Sequence, residues 1–180
     1  MQRAVIIKRF AGCNTIVGVM DSDDDLSEYL WKRTTIPANT LSCSGAQVRI
    51  KVACHSAQNC VYEYSAIGVQ GGGADEDYLA AGTSITWDTG SASVTITANT
   101  EKWSDWITFA FTKTNVHLIH LQQQGGDATH YRKKDTTTAW GGTVYYQQSA
   151  VDFGDLSTTA DVTATGTTTT LDGLVGIEVR

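Results

Sequence analysis

The sequence predicts an all-β fold, an antiparallel β-sandwich of jelly-roll-like arrangement with a short N-terminal strand and helix extension. The chain has 180 residues, which suffices for one well-buried domain. Its composition includes 17 Gly, a single Pro and many Thr and aromatic residues, which suit strands and turns more than helices. Short alternating apolar segments separated by Gly, Asn, Asp and Ser recur from residue 40 onward, as in sandwich proteins.

The first 38 residues differ from the rest and are predicted to form an extension, followed by the sandwich domain at residues 39–180. The segment "RAVIIKRF" predicts a short strand, and "DSDDDLSEYLWKRTTIP" predicts a short helix that ends before Pro37. Ser22 and Asp25 have the spacing of a helix capping pair. The apolar residues that follow share one helical face: Leu26, Tyr29 and Leu30. We expect this extension to act as a docking arm whose removal leaves the sandwich folded.

The strands of the sandwich are predicted from alternation along the chain. "AQVRIKVAC" places Val48, Ile50, Val52 and Cys54 on one face, and "CVYEYSAIGV" follows after a short loop as the second strand of a hairpin. Further strands are predicted at "TSITW", "SVTITA", "WITFAFT", "VHLIHLQ", "THYRKK", "TVYYQQ", "DVTAT" and "LVGIEV". Their inward residues are Val94, Ile96, Ile107, Phe109, Phe111, Val175, Ile177 and Val179.

Four cysteines match no zinc pattern and no dense disulfide framework. Cys54 and Cys60 bracket the loop "HSAQN" and are the candidate disulfide pair. A bridge closing this small ring would stabilise the fold by about 2 kcal/mol in the loop-entropy model. Two buried reduced thiols fit the same positions, and the sequence leaves both alternatives open.

The formal net charge of −6 argues against nucleic acid as a partner, because phosphate backbones require a concentrated positive face. The basic cluster "YRKKD" is interpreted as a solvated hairpin tip. No apolar run reaches the roughly 18 residues that a membrane span requires, and the start of the chain lacks the apolar region of a signal peptide. We therefore expect no membrane insertion.

The local signatures of catalysis are missing from the sequence, and no enzyme activity, cofactor or metal is predicted. The "GGG" at residues 71–73 leads into acids that would repel a phosphate, so it is interpreted as a turn. The three acids at residues 23–25 lack the ligand spacing of a calcium loop and suit a helix N-terminus. His117 and His120 lie three apart in a predicted strand, so they point to opposite faces and are interpreted as core or rim histidines.

Aromatic side chains are the best candidates for a binding site. Trp103 and Trp106 flank Ser104 and Asp105, and Trp106 points away from the core if Ile107 points into it. Trp140 and Tyr146 supply further rings near predicted loops. Such rings serve either a glycan-binding surface or a protein interface. In the alternative interpretation, "KWSDW" is a corner of the sandwich in which Ser104 or Asp105 hydrogen-bonds a turn.

Three segments carry a resemblance to a known module: "AQVRIKVACHSAQNCVYEYSAIGVQ", "TSITWDTGSASVTITANTEKWSDWITFAF" and "VHLIHLQ". Over residues 40–148 the chain resembles a β-sandwich module of tailed-bacteriophage virion proteins that also occurs beside SGNH-type hydrolase domains. The catalytic domain of those hydrolases is missing here. The resemblance implies a non-enzymatic structural protein located in the virion, as a head decoration, a fibre or a tail-associated component, that self-associates as a homo-oligomer and docks on other virion proteins. The alternative is a carbohydrate- or receptor-binding module that contacts a host surface glycan.

Overall fold

The computed structural model describes residues 13–16, 22–26, 29–123, 130–135, 141–149 and 153–180. These residues form antiparallel strands and no helix, so the predicted all-β sandwich is confirmed. Two sheets pack face to face, and a third, smaller sheet lies beside them. Among the described residues, strands that follow one another along the chain change sheet several times, which ties the two layers together.

The first sheet has five strands, with one central strand that pairs on both sides. The central strand is β4 (Gly45–Ala53), and β15 (Leu174–Val179) pairs with one edge of it. β8 (Glu101–Trp103) and β9 (Ile107–Phe111) pair in succession with its other edge. β1 (Cys13–Ile16) pairs with β15 and closes the sheet on that side.

The second sheet has seven strands. Its order is β13 (Gly166–Thr168), β12 (Val144–Ser149), β3 (Tyr29–Ile36), β10 (His117–Gln123), β5 (Cys60–Val69) and β6 (Thr83–Ser84), with β7 (Val94–Ile96) also paired to β5. A third sheet contains β14 (Leu171–Asp172), β11 (His130–Asp135) and β2 (Ser22–Leu26).

The main core fills the space between the five-stranded and seven-stranded sheets. Nearly all residues predicted to point inward are buried there, including Val48, Ile50 and Val52 of β4 and Ile177 and Val179 of β15. Phe109 is partly buried against the same core. Alternation of apolar and polar residues therefore predicted the core correctly. It does so because these strands bury one face and expose the other to solvent.

The predicted N-terminal helix is wrong: residues 22–26 and 29–36 are β2 and β3. β3 lies between β10 and β12, with Leu30 and Ile36 on one buried face and Trp31 and Arg33 on the other. A strand buried on both faces shows no simple alternation of apolar and polar residues. The spacing of the apolar residues in β3 therefore matched that of a helix face. The predicted boundary at residue 38 thus falls after an inner strand of the sheet. The strand predicted at "RAVIIKRF" lies outside the described residues.

The hairpin predicted between the strands that carry Cys54 and Cys60 is also wrong. These strands, β4 and β5, belong to opposite sheets, and the loop between them crosses the sandwich. Both cysteines are buried free thiols, so the candidate disulfide is replaced by the reduced alternative. The Cys54 thiol donates to the carbonyl of Gln58 at 3.0 Å, and the His55 N–H donates to Cys60 Sγ at 3.2 Å. The disulfide joins Cys13 to Cys43 instead, with Cα atoms 5.9 Å apart.

The basic cluster "YRKKD" is part of a strand and not a hairpin tip. In the register of the third sheet, Arg132 lies opposite Asp24 and Lys133 opposite Asp23. Residues of opposite charge at facing positions favour a strand pair, which explains why the acidic run of β2 is a strand here. Asp23 also accepts a hydrogen bond from the Ser56 N–H at 3.1 Å, which joins this sheet to the loop that crosses the sandwich.

Candidate functional site

The outward face of the five-stranded sheet carries stacked aromatic and cationic side chains. The guanidinium of Arg49 lies 4.5 Å from the ring centre of Trp103 and 4.7 Å from that of Trp106. The guanidinium of Arg180 lies 4.1 Å from the ring centre of Trp106, and Lys51 Nζ lies 5.8 Å from that of Trp103. We call these five residues the aromatic–cation ladder. Each such contact contributes about 0.5–1 kcal/mol at an exposed position.

Carboxylates on the same face pair with the cations of the ladder. Arg49 Nε donates to Glu178 Oε2 at 2.6 Å, and Lys51 forms an ion pair with Glu101. Arg180 Nε donates to the side-chain oxygen of Gln47 at 2.8 Å. These contacts fix the planes of the guanidinium groups. The ladder's three cations lie beside two carboxylates, those of Glu178 and Glu101, so most of its positive charge is paired. Because the pairs are partly exposed, they orient side chains more than they stabilise the fold.

The local sequence "WSDW" places both indole rings by forming a corner between β8 and β9. Ser104 exchanges hydrogen bonds with Ile50 of β4: its N–H donates to the Ile50 carbonyl at 2.8 Å, and its Oγ accepts the Ile50 N–H at 2.9 Å. Ser104 therefore continues the pairing with β4 where one strand ends and the next begins. The expected corner is confirmed, and its direct consequence is that Trp103 and Trp106 point to the same side.

Asp105 holds the neighbouring turn in place. Its carboxylate accepts hydrogen bonds from the Thr86 hydroxyl at 2.9 Å and from the N–H groups of Thr89 and Gly90 at 3.0 and 2.9 Å. Desolvation raises the pKa of Asp105, but these hydrogen bonds outweigh it, so the pKa lies below its ordinary value. Asp88 and Thr89 have positive φ angles, 49° and 70°, which the carboxylate helps to hold.

Of the four aromatic residues predicted as a binding surface, the structure describes three, and these three do not form one surface. Trp103 and Trp106 are neighbours on the ladder, and both are partly buried. Tyr146 belongs to β12 of the other sheet, where its ring lies against Gly166. Trp140 lies outside the described residues. The site thus consists of the two tryptophans with Arg49, Lys51 and Arg180, which the aromatic pattern alone did not identify.

A second polar cluster lies on the opposite side of the molecule, on the outer face of the seven-stranded sheet. Arg33, His120 and Gln122 are each 0% exposed there. The guanidinium of Arg33 lies 3.9 Å from the ring centre of Tyr78, and burial lowers the pKa of Arg33 below its ordinary value. Burial likewise raises the pKa of the Tyr78 hydroxyl. Residues 153–164, which we call the strap, cover this cluster. The strand predicted at "DVTAT", residues 161–165, is not formed.

The glycine-rich segment at residues 71–73 is a turn, as predicted. It lines a cleft of about 480 Å³ together with Val69, Asp75, Leu79 and neighbouring residues. Leu79 is the one exposed large hydrophobic residue of the described chain, at 68%. The Asp77 carboxylate closes the turn by accepting the Ala74 N–H at 2.9 Å.

No protein-family model matches this chain, and a search of curated proteins finds no significant match. Among the residues that the structure describes, no group of three or more His, Cys, Asp or Glu side chains is arranged to hold a metal ion. The same part of the chain contains no helix of the length and apolar character needed to cross a membrane.

Proposed function

We propose that this chain is a non-enzymatic structural protein of a phage particle, which self-associates and docks on other virion proteins through the aromatic–cation ladder. The observation that carries the proposal is the ladder itself: two tryptophans and two arginines stacked on one outward sheet face. Tryptophan and arginine are the residues most enriched among those that dominate protein–protein binding energy.

The stacking favours a protein interface over the alternative of a glycan-binding surface. A sugar ring binds on the flat face of an indole, and in the ladder the faces of Trp103 and Trp106 are contacted by guanidinium groups. A sugar would have to displace these guanidinium groups. A protein partner can instead pack on the preformed row of rings and guanidinium planes. Side chains that are already fixed lose little conformational entropy on binding.

The charge pattern of the face supports association between copies. The whole chain carries a formal charge of −6, so two copies repel each other on average. On the ladder, Arg49 is paired with Glu178 and Lys51 with Glu101, so this face adds little to the repulsion. The phage particle is suggested by the resemblance of residues 40–148 to a virion module.

The first test is the mass of the purified protein by light scattering, over a range of concentrations. We expect an oligomer whose dissociation constant rises at least about tenfold in Trp106→Ala, equivalent to about 1.4 kcal/mol. Leu79→Ala is the matched control, since it removes an exposed apolar side chain away from the ladder. A monomer at all concentrations contradicts self-association.

The second test concerns the particle. Particles of a phage that encodes the chain are purified on a density gradient, and the copy number of the chain is measured by mass spectrometry. We expect a fixed number of copies per particle in the wild type and loss of the chain from particles that carry Trp106→Ala. A monomer that is missing from particles but binds a glycan array would support the alternative function instead.

A further inference from the structure

The outer face of the seven-stranded sheet contains two buried bases at facing positions. In the register of β3 and β10, Arg33 lies directly opposite His120. Both side chains are 0% exposed, and His120 stacks on Trp31 with ring centres 5.9 Å apart. When His120 is neutral this pair holds one charge, and when His120 is protonated it holds two like charges. Like charges directly opposite each other destabilise a strand pair, and burial strengthens the repulsion.

Arg33 is the main anchor of the strap. Its Nη1 donates to the carbonyl of Ala160 at 3.0 Å, and its Nη2 donates to the carbonyls of Leu156, at 3.4 Å, and Thr159. A fourth bond runs from Nη1 to the carbonyl of Glu76 at 2.9 Å, in residues 70–77, which we call the glycine-rich loop. Arg33 thus holds the closed strap through backbone carbonyls. When the strap opens, water solvates these carbonyls instead.

His120 contacts the second anchor of the strap. Gln122 Nε2 donates to the carbonyl of Gly154 at 2.8 Å, and His120 Nε2 lies 3.4 Å from Gln122 Oε1. The orientation of the Gln122 amide therefore depends on the protonation state and position of the imidazole. A change at His120 reaches both Arg33 and Gln122, and both of these side chains hold the strap.

Further polar contacts hold the strap. The Val162 N–H donates to Asp77 Oδ1 at 2.9 Å, and the Ala164 N–H donates to Glu76 Oε1 at 3.2 Å. The backbone N–H groups of Tyr78 and Gly82 donate to strap carbonyls, both at 3.0 Å. Ser157 is the only strap residue that is fully buried. The strap contains no strand, and all its other residues keep some contact with solvent, so we place it in the part of the fold with low local stability.

We propose that the strap is an acid-sensitive cover: protonation of His120, opposite Arg33, releases residues 153–164 from the sheet while the sandwich stays folded. This inference rests on the fold and is independent of the proposed function.

The charged groups around His120 do not compensate a second cation. Arg33 faces it from β3, and the carboxylates nearest to Arg33 come from the glycine-rich loop and the strap: Glu76, Asp77 and Asp161. Those of Asp77 and Glu76 already accept hydrogen bonds from strap amides. The strap carboxylate of Asp155 accepts hydrogen bonds from Ser157. Three phenols also lie at this face: Tyr78, which lies over Arg33, Tyr145, which is opposite Arg33 on β12, and Tyr64, which is opposite Gln122 on β5.

The size of the effect follows from the two states of His120. Burial, with the charge of Arg33, lowers the pKa of His120 to about 3 in the closed form, against an ordinary value of 6.5. If opening restores the ordinary value, the open population rises about 30-fold between pH 8 and pH 5, because only the open form binds the proton readily.

Hydrogen–deuterium exchange of the whole chain tests this, with rates corrected for the intrinsic effect of pH. We expect the amides of Tyr78, Gly82, Val162 and Ala164 to exchange about 30-fold faster at pH 5 than at pH 8, while amides of β10 stay protected. Equal corrected rates at both pH values, or loss of protection in β10 together with the strap, would overturn the proposal.

The decisive variant is His120→Gln, which stays neutral and keeps an amide near Gln122. We expect its strap amides to exchange independently of pH. His117→Leu is the matched control, because it removes the histidine on the opposite face of the same strand and should leave the response of the strap intact. If His120→Gln does not fold, His120→Asn takes its place. Persistence of the pH response in the neutral variant refutes the role of His120.

Discussion

His117 makes the stability of the sandwich depend on pH. It lies between the two main sheets, 0% exposed, with its ring stacked on Phe111 at 4.0 Å between ring centres and edge-on to Phe109 at 5.8 Å. Burial among these rings lowers the pKa of His117 to about 4, against a small opposing effect of the Asn115 backbone. The folded chain therefore keeps the imidazole neutral in a pH range where the unfolded chain protonates it.

The direction and size of this pH dependence follow from the folded and ordinary pKa values of His117. The folded pKa of this base is depressed, so the stability it preserves is fully present above pH 6.5 and falls as the pH drops toward 4. Between pH 8 and pH 5 the free energy of unfolding drops by about 2 kcal/mol through His117 alone. His117→Leu removes the titrating group and keeps a similar volume, so the variant should escape that share of the loss.

The assay is urea unfolding followed by tryptophan fluorescence, at pH 8 and pH 5, for the wild type and the variant. We expect the wild type to lose about 2 kcal/mol more than His117→Leu between the two pH values. Ile119→Val in the same strand is the control, because it costs about 1 kcal/mol at both pH values and leaves the difference unchanged. Equal losses in wild type and His117→Leu would refute the assignment of this pH dependence to His117.

Three further predictions concern the fold. Deletion of residues 1–37 removes the inner strand β3, so we expect no cooperative thermal transition by circular dichroism; a folded truncated chain would contradict the sheet order. Gly68→Ala places a Cβ 2.3 Å from the ring of Tyr78 and should lower the free energy of unfolding by about 1–3 kcal/mol, whereas Gly73→Ala, with 3.7 Å to its nearest atom, should be nearly neutral in the same urea titration. Reduction of the Cys13–Cys43 disulfide, which spans 30 residues of sequence, should cost about 3–4 kcal/mol in the chain-entropy model, and unchanged unfolding with a reductant would show that the bridge is not formed.

The core was predictable wherever strands have one wet face. Val48, Ile50 and Val52 alternate with Gln47, Arg49 and Lys51, and the structure places the first set in the core and the second on the ladder face. β3 was not predictable in this way because both of its faces are buried and its outer face carries Arg33. Arg33 is satisfied there by carbonyls that lie far along the chain, at Glu76 and in residues 156–160.

The same distinction applies to the candidate site. The tryptophans of the ladder were identified from the spacing of "WSDW", and Arg49 and Lys51 alternate in "AQVRIKVAC" with the residues predicted to share the other face. Their contact with the indoles depends on the register between β4 and β8, which local sequence does not encode. The free thiols of Cys54 and Cys60 depend likewise on which sheet each strand joins, and a short loop between two strands is as typical of a crossing as of a hairpin.

The order of strands in the five-stranded sheet has a consequence for synthesis of the chain on the ribosome. β1 has β15 as its only partner in the described structure, and one edge of β4 also pairs with β15. These edges are made early, and the residues of β15 that pair with them emerge much later. Until Leu174–Val179 leave the exit tunnel, the first half of the sandwich exposes unpaired strand edges and the apolar side of β4. Folding of the five-stranded sheet is therefore completed only after Leu174–Val179 have been made, and a premature stop before residue 174 would yield a chain prone to aggregation.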